Sequence, residues 1–110
     1  TVPAQCLIPL KAKAHLDLKG RRDAGDRSVK GDDVRKHRND VFALAQTLTP
    51  DDRYSLPEEL KHDLTSFLDS LPMESGDWDA INRSVQKVLG AEYAVDPNEA
   101  RQLLVEVFEL

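Results

Sequence analysis

The sequence is poor in the residues that build metal centres, disulfide frameworks and sheets. It has one cysteine, Cys6. A lone cysteine closes no internal disulfide and forms no thiolate cluster, so a reducing, cytoplasmic setting is expected. Cys6 also lacks a neighbouring His and acid to activate it, and reads as a small buried hydrophobe. Aromatic residues are only 5% of the 110 residues, which leaves a core of Leu, Val and Ala. Such a core suits packed helices better than a sheet, where β-branched and aromatic residues dominate. No apolar run approaches the roughly 20 residues that span a bilayer, and no signal peptide is visible. No membrane partner is therefore expected. There is no Gly-rich phosphate loop and no paired-His motif. The histidines His15, His37 and His62 stand apart from one another, so surface or packing roles are expected and no metal site is assigned.

What is present is charge, unevenly spread. Charged residues are 32% of the chain and the formal net charge is −5. An acidic domain is a poor unaided binder of DNA or RNA, which rewards a basic surface. Residues 11–38 nevertheless hold most of the Lys and Arg, among them Lys11, Lys19, Arg22, Arg35, Lys36 and Arg38. That basic third can face an anion although the whole is acidic. Thr1 stands where an initiator Met would be, so the chain is expected to come from a longer protein.

Apolar periodicity and stop signals predict an all-α chain of about five helices in one compact domain over 1–110, the first two forming a hairpin. The first helix is expected from about Ile8 to Ala24, with Leu10, Ala14 and Leu18 as its apolar stripe and Gly25 as its end. Pro3 and Pro9 discourage helix over residues 1–7 and favour an extended lead-in. The second helix is expected from about Asp33 to Leu48, capped by Asp32, with Val34, Val41, Leu44, Ala45 and Leu48 buried. Ser55 and Glu58 match a capping box for the third, whose face is Leu60, Leu64, Phe67, Leu68 and Leu71, with Pro72 as its stop. The fourth starts near Asp77, uses Trp78, Ile81, Val85, Val88 and Leu89, and stops at Gly90. The fifth opens on Asp96-Pro97 and is expected to run to Leu110.

The first two helices also carry the candidate chemistry. Lys36 and Asp40 are four residues apart, on one helical face, with His37 beside them. In a hairpin, Lys11 can approach that cluster. The plain reading is an ordinary Lys36–Asp40 helical ion pair worth a few tenths of a kcal/mol.

The segments Leu7-Ile8-Pro9-Leu10-Lys11-Ala12-Lys13-Ala14-His15-Leu16-Asp17-Leu18 and Asp33-Val34-Arg35-Lys36-His37-Arg38-Asn39-Asp40-Val41-Phe42-Ala43-Leu44 resemble the C-terminal part of the nucleotidyl transferase AbiEii/AbiGii toxin family, a polymerase-β-like branch. The resemblance spans about residues 5–48, and residues 49–110 would be a variable helical tail. It implies that Lys11 contacts the triphosphate of a nucleotide, with Lys36 also on the nucleotide side, and that Ala14 lets its helix pack closely. Asp40 would be the supporting acid of the last motif. His37 stands where the family often has Asp. The family's Gly-Ser turn and Asp-x-Asp pair, which hold two Mg²⁺ ions, have no counterpart before Lys11. Asp77-Trp78-Asp79 has the spacing but falls after the Lys11 segment, and Asp77 reads as a helix cap.

The resemblance thus implies the helical end of a toxin or phage-defence nucleotidyltransferase, inactive alone. Mg²⁺, a nucleoside triphosphate and an amino-terminal catalytic domain would belong to the longer protein. An RNA or protein acceptor and an antitoxin would be its partners. The alternative is a stand-alone helical protein-interaction module, suggested by the acidic tail and Leu-rich helices.

Overall fold

The computed structural model describes residues 3–110, and Thr1 and Val2 lie outside the described residues. Five helices follow one another: α1 Ala4–Asp23, α2 Gly31–Ala45, α3 Glu58–Asp69, α4 Asp77–Leu89 and α5 Pro97–Val107. No strand occurs among the described residues. The all-α expectation and the α1–α2 hairpin are both present.

α2 is the central element. It packs on α1, α4 and α5, while α1 also packs on α3. The reason is its apolar stripe. Val34, Arg38, Val41, Phe42 and Ala45 recur at helical spacing and are all buried. Phe42 meets Trp78 of α4 edge-on at 4.9 Å and lies 5.9 Å from Phe67 of α3. Ile8, Leu64, Ile81, Val85, Leu104 and Phe108 fill the space around this aromatic group. A polar clamp ties the α4–α5 connection down. Asn82 accepts from the Val95 amide at 2.6 Å and donates to the Val95 carbonyl at 3.1 Å.

Several element boundaries differ from the sequence expectation. α1 begins at Ala4, so residues 4–7 are helical and not extended. Pro9 sits inside it, buried, which forfeits one backbone hydrogen bond. Burial of Ile8 contributes about 1.5–3 kcal/mol, and the buried Pro9 ring and Ala12 methyl add to it, which offsets that loss. The buried face of α1 is Ile8, Ala12 and His15. The competing stripe is turned outward, with Leu10 54% exposed and Ala14 and Leu18 half-buried. Both stripes repeat every three to four residues, so periodicity alone does not choose between them.

α2 begins at Gly31, not Asp33, and its N-cap Lys30 makes no side-chain cap. Asp32 pairs instead with Arg35, one turn on. The capping box of α3 is likewise absent: Pro57 takes the cap position, with no side-chain bond there. Val88, expected in the core, is 70% exposed on α4. α5 is capped as expected, Asp96 accepting from the Glu99 amide at 3.1 Å. It ends at Val107 and not at Leu110. There Glu109 takes φ 54°, and the Leu110 amide returns to the Val105 carbonyl at 2.9 Å. α1 ends the same way, with Gly25 at φ 99° and the Asp26 amide on the Arg21 carbonyl at 3.0 Å.

Candidate functional site

The α1–α2 hairpin brings Lys11 to Asp40. Their Nζ and Oδ2 lie 3.1 Å apart, with both side chains about one-third exposed. Asp40 therefore pairs across the hairpin and not with Lys36 in its own helix. Lys36 is exposed and enters none of the ion pairs among the described residues. The pair cancels most of the charge of Lys11 locally while fixing where its ammonium stands. It contributes at most about 1 kcal/mol, the scale of a partly exposed pair. His37, next to Lys36, has a buried Nδ1 with no hydrogen-bond partner.

Two turns away from Lys11, a second polar cluster lies between α1, the first turns of α2 and the start of α4. Arg38 occupies the α2 stripe position between Val34 and Phe42, and is only 5% exposed. Its Nε donates to Asn39 Oδ1 at 3.1 Å. Its Nη1 lies 3.5 Å from Asp77 Oδ1, a long contact to a carboxylate that is 58% exposed. Its Nη2 is buried without a partner. Burial lowers the Arg38 pKa, an effect partly offset by Asp77 and reinforced by Arg35.

His15 is buried on the opposite wall. Its Nδ1–H donates to the Val34 carbonyl at 2.8 Å, because a carbonyl only accepts. Its ring stands edge-on to Phe67 at 5.4 Å. Burial holds its pKa below the usual histidine value, the Val34 bond working in the other direction and the neighbouring Arg38, Lys19 and His37 charges adding to the lowering. His15 is thus a neutral packing histidine, as expected of a lone histidine on a helix.

These side chains enclose a cleft of about 250 Å³, lined by His15, Lys19, Arg22, Asp23, Gly31, Val34, Arg35, Arg38, Ser70, Leu71 and Asp77. Sequence reasoning missed Arg38 as a core residue, although a cation at the spacing of Val34, Val41 and Ala45 is a visible signal.

The remaining candidates are dispersed. Asp77 is the first residue of α4, after the N-cap Gly76, and its partner is Arg38 and not a cap amide. It still sits in the first helical turn, where a carboxylate complements the helix dipole. Cys6 is exposed, against the expectation of a buried thiol. Among the described residues, no group of three or more His, Cys, Asp or Glu side chains gathers as a metal site. No helix among them is long and apolar enough to cross a membrane. Comparison with protein-family models, with curated proteins and with solved structures finds no match to this chain.

Proposed function

We propose that this chain is the nucleotide-side helical region of a nucleotidyltransferase-type protein, supplying cations to a nucleotide's phosphates and no chemistry of its own. The observation that carries the reading is the Lys11–Asp40 pair. Two stretches some thirty residues apart, each resembling a segment of that family, meet through the two residues to which the resemblance gives linked roles. Asp40 orients the Lys11 ammonium at the mouth of the hairpin. A triphosphate oxygen, carrying more charge than one carboxylate, would take over the lysine as a compact point charge. Lys36, exposed on α2 and in none of the ion pairs among the described residues, adds a second cation to that side. The two Mg²⁺ ions and their carboxylates would be supplied by the rest of the longer protein.

The test is labelled-nucleotide transfer by the full-length natural protein, wild type against Lys11→Ala and Asp40→Ala. The expected result is transfer by the wild type, at least tenfold slower in Lys11→Ala and reduced in Asp40→Ala, with folding checked by circular dichroism. No transfer by the wild type, or rates unchanged in both variants, would leave a helical interaction module instead.

A further inference from the structure

The cleft around Arg38 owes nothing to Lys11 or Asp40, neither of which lines it. Its electrostatics are unusual for a chain of net charge −5. Four cations, Lys19, Arg22, Arg35 and Arg38, face two carboxylates, Asp23 and Asp77. The carboxylates are unequal to the task. Asp23 is held by Lys19 at 2.9 Å, and Asp77 touches Arg38 only at 3.5 Å. Asp32, outside the lining, pairs with Arg35. Arg22 has no carboxylate partner among the described residues and donates to the Val29 carbonyl at 3.1 Å.

Two guanidinium groups converge where α2 begins. A methyl group added at Gly31 would lie 3.1 Å from Arg35 Nη1 and 3.3 Å from the guanidinium carbon of Arg22. Like charges brought to one point repel unless something negative stands between them. The same point is the first turn of a 15-residue helix, where the Asp33 and Val34 amides donate to the Lys30 carbonyl and the Gly31 and Asp32 amides have no intrahelical acceptor. Buried in the wall is a third guanidinium, Arg38, with Nη2 unpartnered. A buried charge with an unsatisfied donor is costly, and because the Arg38 side chain lines the cleft, an anion seated there would offset that cost through its charge.

We infer that this cleft is a binding site for a single phosphate group, held by Arg22, Arg35 and Arg38 over the N-terminal turn of α2. Planar guanidinium forks match phosphate oxygens two at a time. The size fits one such group: 250 Å³ falls below the roughly 300–1,000 Å³ of pockets that enclose drug-sized ligands. The phosphate is therefore either free inorganic phosphate or the terminal group of a molecule that otherwise stays outside.

The experiment is a titration of the ¹⁵N-labelled chain with inorganic phosphate at constant ionic strength, with chloride as the control, followed by NMR at the Gly31 and Asp32 amides and the arginine Nε–H groups. Saturable shifts at these groups are expected with phosphate and not with chloride. Arg22→Gln, at an exposed position outside the core, should weaken binding about tenfold. Gly31→Ala should also weaken it, by forcing the two guanidinium groups apart. Asp77→Asn should tighten it, by releasing Arg38 Nη1 and removing a repelling charge. Lys11→Ala should leave it unchanged, which separates this site from the nucleotide reading of the Lys11–Asp40 pair. Repeating the titration with adenosine 5′-monophosphate assigns the source: tighter binding than phosphate means the terminal group of a larger molecule, equal or weaker binding means free phosphate. Absence of saturable shifts with either probe, or the same affinity in Arg22→Gln and Asp77→Asn as in the wild type, would overturn the proposal.

Discussion

His15 and Arg38 show how two buried polar side chains are tolerated by different means. His15 remains neutral, with its proton on Nδ1 satisfied by Val34. Its folded pKa lies below the ordinary 6.5 of the unfolded chain. The unfolded state then binds more protons between those two values, so stability falls as pH drops through about 6.5 and levels off below the folded pKa. Above about 6.5 the contribution is fully present. Thermal unfolding between pH 8 and pH 5 should show Tm falling on the acid side, and His15→Gln should flatten that slope even if it lowers Tm throughout. Arg38 keeps its charge, and Asp77 is its only carboxylate partner among the described residues. Because Asp77 is more than half exposed, the pair is closer to a surface pair than to a sealed one. Asp77→Asn should therefore cost only about 1 kcal/mol in a denaturant melt, well short of the 3–5 kcal/mol for breaking a fully buried pair. Arg38→Met should be close to neutral, because it removes a buried charge and leaves Asp77 in water. Polarity alone does not separate them from their neighbours: Arg38 looks like one more surface residue of a charged stretch, and His15 fits a surface role as well as a packing one. Only their positions within the apolar repeat distinguish them.

At the scale of the helices, the signals that proved legible were those with one backbone solution. Asp96-Pro97 opens α5, Gly25 closes α1 and Gly90 closes α4. In each case a fixed φ or a required cap leaves little choice. The signals that failed were those where a side chain has alternatives. Asp32 prefers Arg35 to a cap amide, and Ser55 is displaced from its capping role because Pro57 sets the start of α3. The two capping expectations thus separate cleanly by experiment. Asp96→Ala removes a real hydrogen bond and should cost about 1 kcal/mol, while Ser55→Ala should change stability by no more than a few tenths. Urea titrations of the two variants would read the contrast directly. The apolar face of α1 was illegible for another reason: Leu10-Ala14-Leu18 and Ile8-Ala12-His15 are equally periodic, and tertiary packing selects the second. The same packing leaves Val88 outside.

For the whole molecule, the order of packing matters more than any one helix. α2 packs on α1, α4 and α5 and reaches α3 through Phe42, so the interior is organised around its stripe, with Phe42 between Phe67 and Trp78. Phe42→Ala should cost about 3–5 kcal/mol, a large share of the about 5–15 kcal/mol that stabilises a domain of this size. Trp78 fluorescence should report that loss as a single shifted unfolding transition. The same helix carries Asp40 toward Lys11 and Arg38 toward Asp77, so both candidate sites depend on its placement. The hairpin that joins Lys11 to Asp40 followed from the sequence pattern, whereas the Arg38 cleft depends on α4 closing over α2, a long-range contact that no local pattern encodes. The proposed place of this helical region in a nucleotidyltransferase requires a metal-binding catalytic segment elsewhere in the polypeptide. It is tested most directly by the sequence of the natural polypeptide on the amino-terminal side of Thr1. A Gly-Ser turn followed by an Asp-x-Asp pair is the expected result. A start codon within a few residues of Thr1, or an unrelated domain, would contradict it.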